Sequence, residues 1–254
     1  MKPAHKKQIL RVVSYNVHFG ANTSEIAKVF KQHPNLSKAD VILFQEIEDH
    51  PPEKTSRAEK IAKKLGFHFF YEPARSLKNA GTHGLATLSK YPIKNTLSIK
   101  LPEYKIFFLT QSRIALVTTL KIKGIDVAVC NIHLDTRLNP KKRIAQLKTC
   151  LLTIKKNYKK NIIIGGDFNT IPVRVAAGLI PIFYSNQAKR IKKYMFQMGF
   201  KHFCSPVGPS MKRGLIKMKL DHIYTDDLPI VDCGIEKDVY LSDHKPLWAD
   251  IELA

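Results

Sequence analysis

A layered α/β fold, with a two-layer sheet core and helices on the outside, is the class this sequence predicts. Three observations point to it. Apolar runs of strand length outnumber runs with helical periodicity. Hairpins alternate with strand–helix–strand crossovers, which argues against a purely parallel wound sheet. The chain has 254 residues with 44% hydrophobic content, enough to bury a full core in one domain. The expected organisation is a basic tail over residues 1–8 and a single domain over 9–254.

Each element has a local reason. "ILRVVSYNVHF" (9–19) reads as a strand, and "EIAKVF" (25–30) as a short helix stopped before Pro34. "ADVILFQEI" (39–47) is an apolar run of strand length. Ser56 and Glu59 have capping-box spacing ahead of "AEKIAKKL", which Gly66 stops. "FHFFYE" and "GLATLS" follow as strands, the second closed by Tyr91-Pro92. "RIALVTTLKI" (113–122) and "IDVAVCNIHL" (125–134) form a hairpin over Lys123-Gly124. Asn139 caps a helix with Pro140 at its first position and Ile144, Leu147, Leu151 and Ile154 on one face. "NIIIGG" is again a strand. From Ile171 to Leu215 the pattern is less regular, with one helical piece, "QAKRIKKYMFQM". "IKMKLDHIYT" and "PLWADIEL" are the last strands. No repeat, low-complexity tract or linker interrupts the chain.

These strands share a feature that a core tolerates only with compensation: they end in polar side chains that are costly to bury unpaired. Asn16 with His18, Gln45 with Glu46, Asn131 with His133 and Asp135, Asp167 with Asn169, Asp221 with His222, and Ser242, Asp243 and His244 hold these positions. Singly, each reads more readily as a turn or cap residue, a surface acid or a lysine partner than as a ligand. Together they argue that strand ends converge on one site. Carboxylate and amide oxygens without cysteine suit a hard cation, Mg2+ or Mn2+, whereas Zn2+ ordinarily takes more His or Cys. Such an ion neutralises phosphate oxygens, while histidines held by carboxylates move protons or donate to a phosphoryl oxygen. The expected chemistry is metal-assisted hydrolysis of a phosphate ester. In "NIIIGGDFNT" (161–170) an extended backbone puts Asp167 and Asn169 on one side and Phe168 toward the core. The glycines there are expected to keep side chains away from the site.

The balance of 42 Lys+Arg against 21 Asp+Glu gives a net charge of +21 and a pI near 9.8. That surplus points to a polyanionic partner such as nucleic acid, an anionic membrane surface or a phosphorylated metabolite; a merely soluble basic surface is the plainer account. Lys189, Arg190, Lys192, Lys193, Lys212, Arg213 and Lys217 lie between "GGDFNT" and "KLDHIYT", near the expected mouth, and a solvated helix face explains part of this set. Cys130, Cys150, Cys204 and Cys233 show no C-x-x-C pairing and read as small buried hydrophobes, not a disulfide framework. The apolar pair Ile9-Leu10 is broken by Arg11 before a signal-peptide core forms, and no run approaches the ~18 apolar residues of a membrane span. A cytoplasmic monomer is expected, with non-classical secretion as the alternative.

In order and with similar gaps, "SYNVHFG", "ILFQEIE", "HGLATLSKYPI", "SRIALVTTL", "NIHLD", "IIIGGDFNT", "LDHIYT" and "LSDHKPLWADI" resemble the motifs of the endonuclease/exonuclease/phosphatase superfamily of DNase I-like, metal-dependent phosphoesterases. The likeness spans nearly the whole chain. It implies a four-layer α/β/β/α sandwich of two mixed sheets with the active site at one end. By the same resemblance Glu46 is the principal metal ligand, with Asn16 and Asp243 close to the metal or the attacked phosphate. Asp167 orients or deprotonates the attacking water, and Asn169 contacts the phosphate. His244 is the histidine that touches the phosphate, held by Asp221, and His133 is a second phosphate-facing histidine where abasic-site endonucleases carry tyrosine. His222 is expected to pack in its strand, and the roles of His18, His83 and Arg113 stay open.

A Mg2+-dependent phosphodiesterase acting on nucleic acid is therefore the expectation. The alternatives are a phosphodiesterase or phosphatase acting on a phospholipid or inositol-phosphate headgroup, and a non-catalytic basic domain that binds nucleic acid or membrane.

Overall fold

The computed structural model describes residues 8–78, 80–106, 108–171, 173–176, 180–183, 186–204 and 208–253. Along the chain run β1 (Gln8–Phe19), α1 (Thr23–Gln32), β2 (Val41–Asp49), α2 (Arg57–Leu65), β3 (His68–Ser76), β4 (Thr82–Ser89), β5 (Ile93–Lys100), β6 (Ile114–Ile122) and β7 (Ile125–His133). Then follow α3 (Pro140–Asn157), β8 (Ile162–Asp167), β9 (Val173–Ala176), β10 (Ile180–Phe183), α4 (Gln187–Gln197), β11 (His202–Phe203), β12 (Met211–Arg213), β13 (Ile216–Met218), β14 (Asp221–Thr225), β15 (Ile230–Ile235) and β16 (Leu247–Leu253).

Two six-stranded mixed sheets form the core, in the orders β15-β16-β1-β2-β4-β3 and β11-β14-β8-β7-β6-β5. β1 and β2 pair parallel, as do β7 and β8, and the remaining neighbours pair antiparallel. Strand alternation sends residues to two different layers. Leu10, Val12, Val41 and Leu43 of the first sheet meet Leu120, Val127, Val129, Ile163 and Ile223 of the second between the sheets. The opposite faces carry Val13, Tyr15, Ile42 and Phe44 against Ile26, Phe30, Ala58 and Ile61 of α1 and α2. Likewise Ala128, Cys130, Ile162 and Ile164 pack against Leu147, Leu151, Ile154, Ile191 and Met195 of α3 and α4. Each fully buried aliphatic side chain contributes about 1.5–3 kcal/mol, and the result is a four-layer α/β/β/α sandwich.

The capping chemistry appears as written in the sequence. Ser56 Oγ accepts from Glu59 N (3.1 Å) at the start of α2, and Asn139 Oδ1 accepts from Lys142 N (3.0 Å) at the start of α3. Three expectations need correction. "IKMKLDHIYT" is two strands, not one: β13 belongs to a hairpin with β12 outside both sheets, and β14 is a strand of the second sheet. The break is held by Ser210, whose Oγ accepts from the backbone N–H of Leu220 and Asp221 (2.8 and 3.0 Å). β5 and β15 form where no strand is expected, and the irregular stretch contains the β9–β10 pair, β11 and β12. Of the expected tail, Gln8 opens β1 and residues 1–7 lie outside the described residues. All four cysteines are free thiols. No helix among the described residues is long and apolar enough to cross a membrane.

Candidate active site

The site is the polar continuation of the inter-sheet layer. The alternation that points Leu10 and Val12 inward also points Ser14 and Asn16 inward at the end of β1. On β7 the inward series Val127, Val129 continues to Asn131 and His133; on β8 Ile163 continues to Gly165 and Asp167; on β14 Ile223 is preceded by Asp221. Side chains from both sheets therefore meet at one end.

Glu46 arrives differently. β2 loses register with β4 between Gln45 and Ile47, and β1 loses register with β2 between Asn16 and Phe19. Glu46 takes φ 57°, beside His18 (φ 44°) and Phe19 (φ 74°) across the ladder. A non-glycine residue in this region costs about 1–2 kcal/mol, and a bulge of this kind re-aims a side chain. Gln45 and Ile47 stay fully buried while the Glu46 side chain is 23% exposed.

One oxygen organises the rest. Asp167 Oδ2 accepts from Asn16 Nδ2 (3.3 Å) and faces His133 Nε2 (3.6 Å) and His244 Nε2 (3.8 Å). His244 Nδ1 lies 2.9 Å from Asp221 Oδ2, and Glu46 spans His133 Nε2 and His18 Nδ1, each at 3.7 Å. Asn169 joins by a turn instead of an extended backbone. Its φ is 49°, its N–H donates to Asp167 Oδ1 (2.8 Å) and its Nδ2 donates to Leu134 O (2.8 Å). Phe168 does turn into the core, under α3 and α4. The adjacent glycines serve the sheet and not the site: a Cβ on Gly166 (φ +149°) would stand 1.9 Å from Ile132 O on β7. Asp243 is half-buried beside His244, and its Oδ1 accepts from Ser242 Oγ at 3.4 Å.

Arg113 answers a question the sequence left open. It is buried, and its Nη1 donates to His133 Nδ1 at 2.9 Å. A guanidinium has no acceptor, so His133 Nδ1 must accept and the ring proton sits on Nε2, toward Glu46 and Asp167. Burial, reinforced by the Arg113 charge, holds the His133 pKa well below its ordinary value, so the ring is a neutral donor. His244 is the reverse case. Burial alone would lower its pKa, but Asp221 and Asp167 more than offset that and raise it to about 10. Burial pushes Asp167 up to about 7, with the His244 charge pulling it down.

Other polar residues are placed elsewhere. Asn131 bridges the sheets, donating from Nδ2 to Phe44 O (2.8 Å) and Ala86 O (2.9 Å) and accepting from Gln45 Nε2 (2.8 Å). Asp135 holds Arg137 (2.7 Å). His222 packs edge-on against Phe168, and burial lowers its pKa to about 4. His83 is buried beside Glu48 (3.7 Å) and, by burial, has a pKa near 3. The expected basic set divides: Lys189, Arg190 and Lys193 lie on the exposed face of α4, Lys192 covers the Phe203 ring at 3.8 Å, Lys212 N donates to Asp243 O (2.8 Å) with Lys217 opposite it in the hairpin, and the Arg213 side chain lies outside the described residues.

The donor set fits a hard cation. No described residue donates a hydrogen bond to Glu46, and Asn16 Oδ1, which accepts from His18 N (3.1 Å), keeps a second lone pair. Cys130 sits on the opposite face of β7. Two His/acid groups among the described residues have metal-ligand spacing: Asp167, Asp221 and His244, whose histidine Nδ1 is committed to Asp221 (2.9 Å), and His33, Glu236 and Asp238, which does not qualify because His33 Nδ1 accepts backbone N–H bonds and Nε2 therefore carries a proton toward the acids.

The four-layer sandwich is that of the DNase I-like phosphoesterases. The chain belongs to the Endonuclease/Exonuclease/phosphatase family, whose profile matches residues 13–244. No curated protein matches it. Among solved structures it is similar to an endonuclease/exonuclease/phosphatase from Beutenbergia cavernae, at 18% identity and TM-score 0.75 over 97% of this chain and 72% of that one. A family protein from Bacteroides thetaiotaomicron gives 17% and 0.72 over 98% and 100%. A mannosyl-6-phosphatase from the same species gives 17% and 0.65 over 95% and 99%. At such identities the likeness is one of fold.

Proposed function

We propose that the chain hydrolyses a phosphodiester by metal-assisted attack of water. The observation that supports this best is the single oxygen Asp167 Oδ2, faced by Asn16, His133 and His244 within 3.8 Å. Glu46, Asp243 and Asn16 would hold a divalent cation, Mg2+ or Mn2+, which would supply charge to offset the phosphate oxygens in the transition state. Asp167 accepts a proton as the water oxygen bonds to phosphorus, and the leaving oxygen departs with the electron pair of the broken P–O bond. His244, kept cationic by Asp221, and His133, presenting Nε2–H, donate to the phosphoryl oxygens where charge develops. Asn169 has one amide hydrogen committed to Leu134 O and the other for the phosphate.

A domain that only binds its polyanion has no use for two histidines in opposite protonation states on one carboxylate. As to substrate, nucleic acid meets the charge requirement and is the expectation from composition, and a phospholipid headgroup meets it equally. The surface around the site favours the second, as argued below.

The test is hydrolysis of bis-p-nitrophenyl phosphate with Mg2+, with and without EDTA. EDTA, Glu46→Ala and His244→Ala are each expected to abolish turnover while leaving the circular dichroism of the folded protein unchanged. Wild-type rates in both variants would overturn the site.

A further inference from the structure

The most exposed large apolar side chains are concentrated around the site. Leu215 is 100% exposed, Phe108 90%, Tyr240 79% and Leu109 68%, and no other large hydrophobic among the described residues reaches these values. Each sits on a loop rooted in a site residue. Leu215 tops the β12–β13 hairpin, where Gly214 (φ +60°) opens a two-residue turn. The foot of that hairpin is pinned to the site: Met211 pairs with His244, Lys212 N donates to Asp243 O (2.8 Å), and Lys245 N donates to Ser210 O (2.7 Å).

Phe108 and Leu109 occupy a turn in which Ile106 and Leu109 exchange two backbone hydrogen bonds (2.9 and 3.0 Å). The loop closes where Leu101 N donates to Arg113 O (2.9 Å), and Arg113 is the residue that holds His133. Tyr240 lies three positions before Asp243, with Lys245 Nζ 3.8 Å from its ring centre. Since His133 and His244 face the same oxygen of Asp167, these loops leave from one end of the sandwich.

Cations flank the apolar tips. Lys212 and Lys217 are exposed on either side of Leu215, and exposed Lys105 places Nζ 5.7 Å from the Phe108 ring. Apolar tips over a basic collar match the boundary between anionic headgroups and acyl chains. Single-stranded nucleic acid would also engage aromatic rings and lysines. It gives no use to Leu109, Leu215 and half-exposed Ile216, which have no π face for a base.

We propose that the Phe108–Leu109 turn, the Leu215 hairpin and Tyr240 form a docking surface for an anionic phospholipid bilayer, setting the site against headgroup phosphodiesters. The substrate class rests on the phosphodiester reading of the site; the docking does not require turnover.

The experiment is co-sedimentation of the full chain with vesicles of phosphatidylcholine alone or mixed equally with phosphatidylglycerol. Wild type should bind the mixed vesicles, and Phe108→Asp and Leu215→Asp should each weaken binding on the order of tenfold. Both variants should keep wild-type hydrolysis of soluble bis-p-nitrophenyl phosphate, and Leu152→Asp, on the exposed face of α3, should bind as wild type. No binding to mixed vesicles, or unchanged binding in Leu215→Asp, overturns the proposal. Single-stranded DNA binding that depends on Phe108 and Leu215, without vesicle binding, overturns it in favour of nucleic acid. Vesicle binding without hydrolysis of any diester upholds the docking and strikes the functional reading alone.

Discussion

Replacing Arg113 by methionine keeps most of the side-chain volume and removes the donor that fixes His133. In the wild type the guanidinium stands 2.9 Å from His133 Nδ1 and leaves Nε2 as the protonated nitrogen facing Asp167. A hydrogen bond to a charged group contributes about 1.5–3 kcal/mol. Losing it should lower kcat about 10- to 150-fold if the ring's aim matters in the transition state, with KM nearly constant. Stability is a separate axis. Burial opposes the Arg113 charge while Glu46, Asp135 and Asp167 favour it, and removing one member of a buried charge group destabilises by about 3 kcal/mol. The urea midpoint therefore has to be measured alongside the kinetics. Long-range 15N–1H NMR of His133 reads the tautomer directly, which a purely structural loss would leave unchanged. Arg113→Lys keeps one donor and should restore part of the rate. A kcat within about twofold of wild type in Arg113→Met, together with a retained Nε2–H tautomer, would refute the reasoning.

Three further outcomes follow from the geometry. Glu46→Gly and Glu46→Ala should both be inactive, but the glycine variant, relieved of the 57° φ, should be the more stable by about 1 kcal/mol; equal melting would remove the strain argument. His244 has a folded pKa near 10 against an ordinary 6.5, so its contribution to stability is full below 6.5 and lost as pH rises through about 10. Asp221→Asn should move that loss, and the alkaline limb of kcat/KM, to lower pH, and an unmoved limb counts against the pairing. Gly166→Ala, with its Cβ 1.9 Å from Ile132 O, should destabilise by about 3 kcal/mol or more; a wild-type urea midpoint would contradict the close approach of β7 and β8.

Central strands were legible in the sequence because both faces are buried, so "VILF" (41–44) and "III" (162–164) are unbroken apolar runs. The strands that escaped notice, β5, β11 and β15, are edges of their sheets. In "IKNTLSIK" only Ile99 is fully buried, and a half-exposed edge dilutes the alternation on which strand recognition depends. The convergence of Asn16, His133, Asp167, Asp221 and His244 could be anticipated from polar residues at strand ends. Glu46 was visible as a residue but its bulge was not, since nothing in "FQEIE" encodes a positive φ. Asn131, read with the site cluster, proved to be a bridge between sheets, and Arg113 gained a role only when His133 Nδ1 was seen to need a donor. Neither assignment has a local sequence signal, because each depends on a partner far along the chain.

The Asn131 bridge has a consequence for how such a molecule can change. A single amide, bonded to the backbone of β2 and β4 from β7, sets the alignment of the two sheets from inside. The rim segments can then lengthen, shorten or exchange their contacts without shifting the reacting atoms, so chemistry and choice of target can diverge independently.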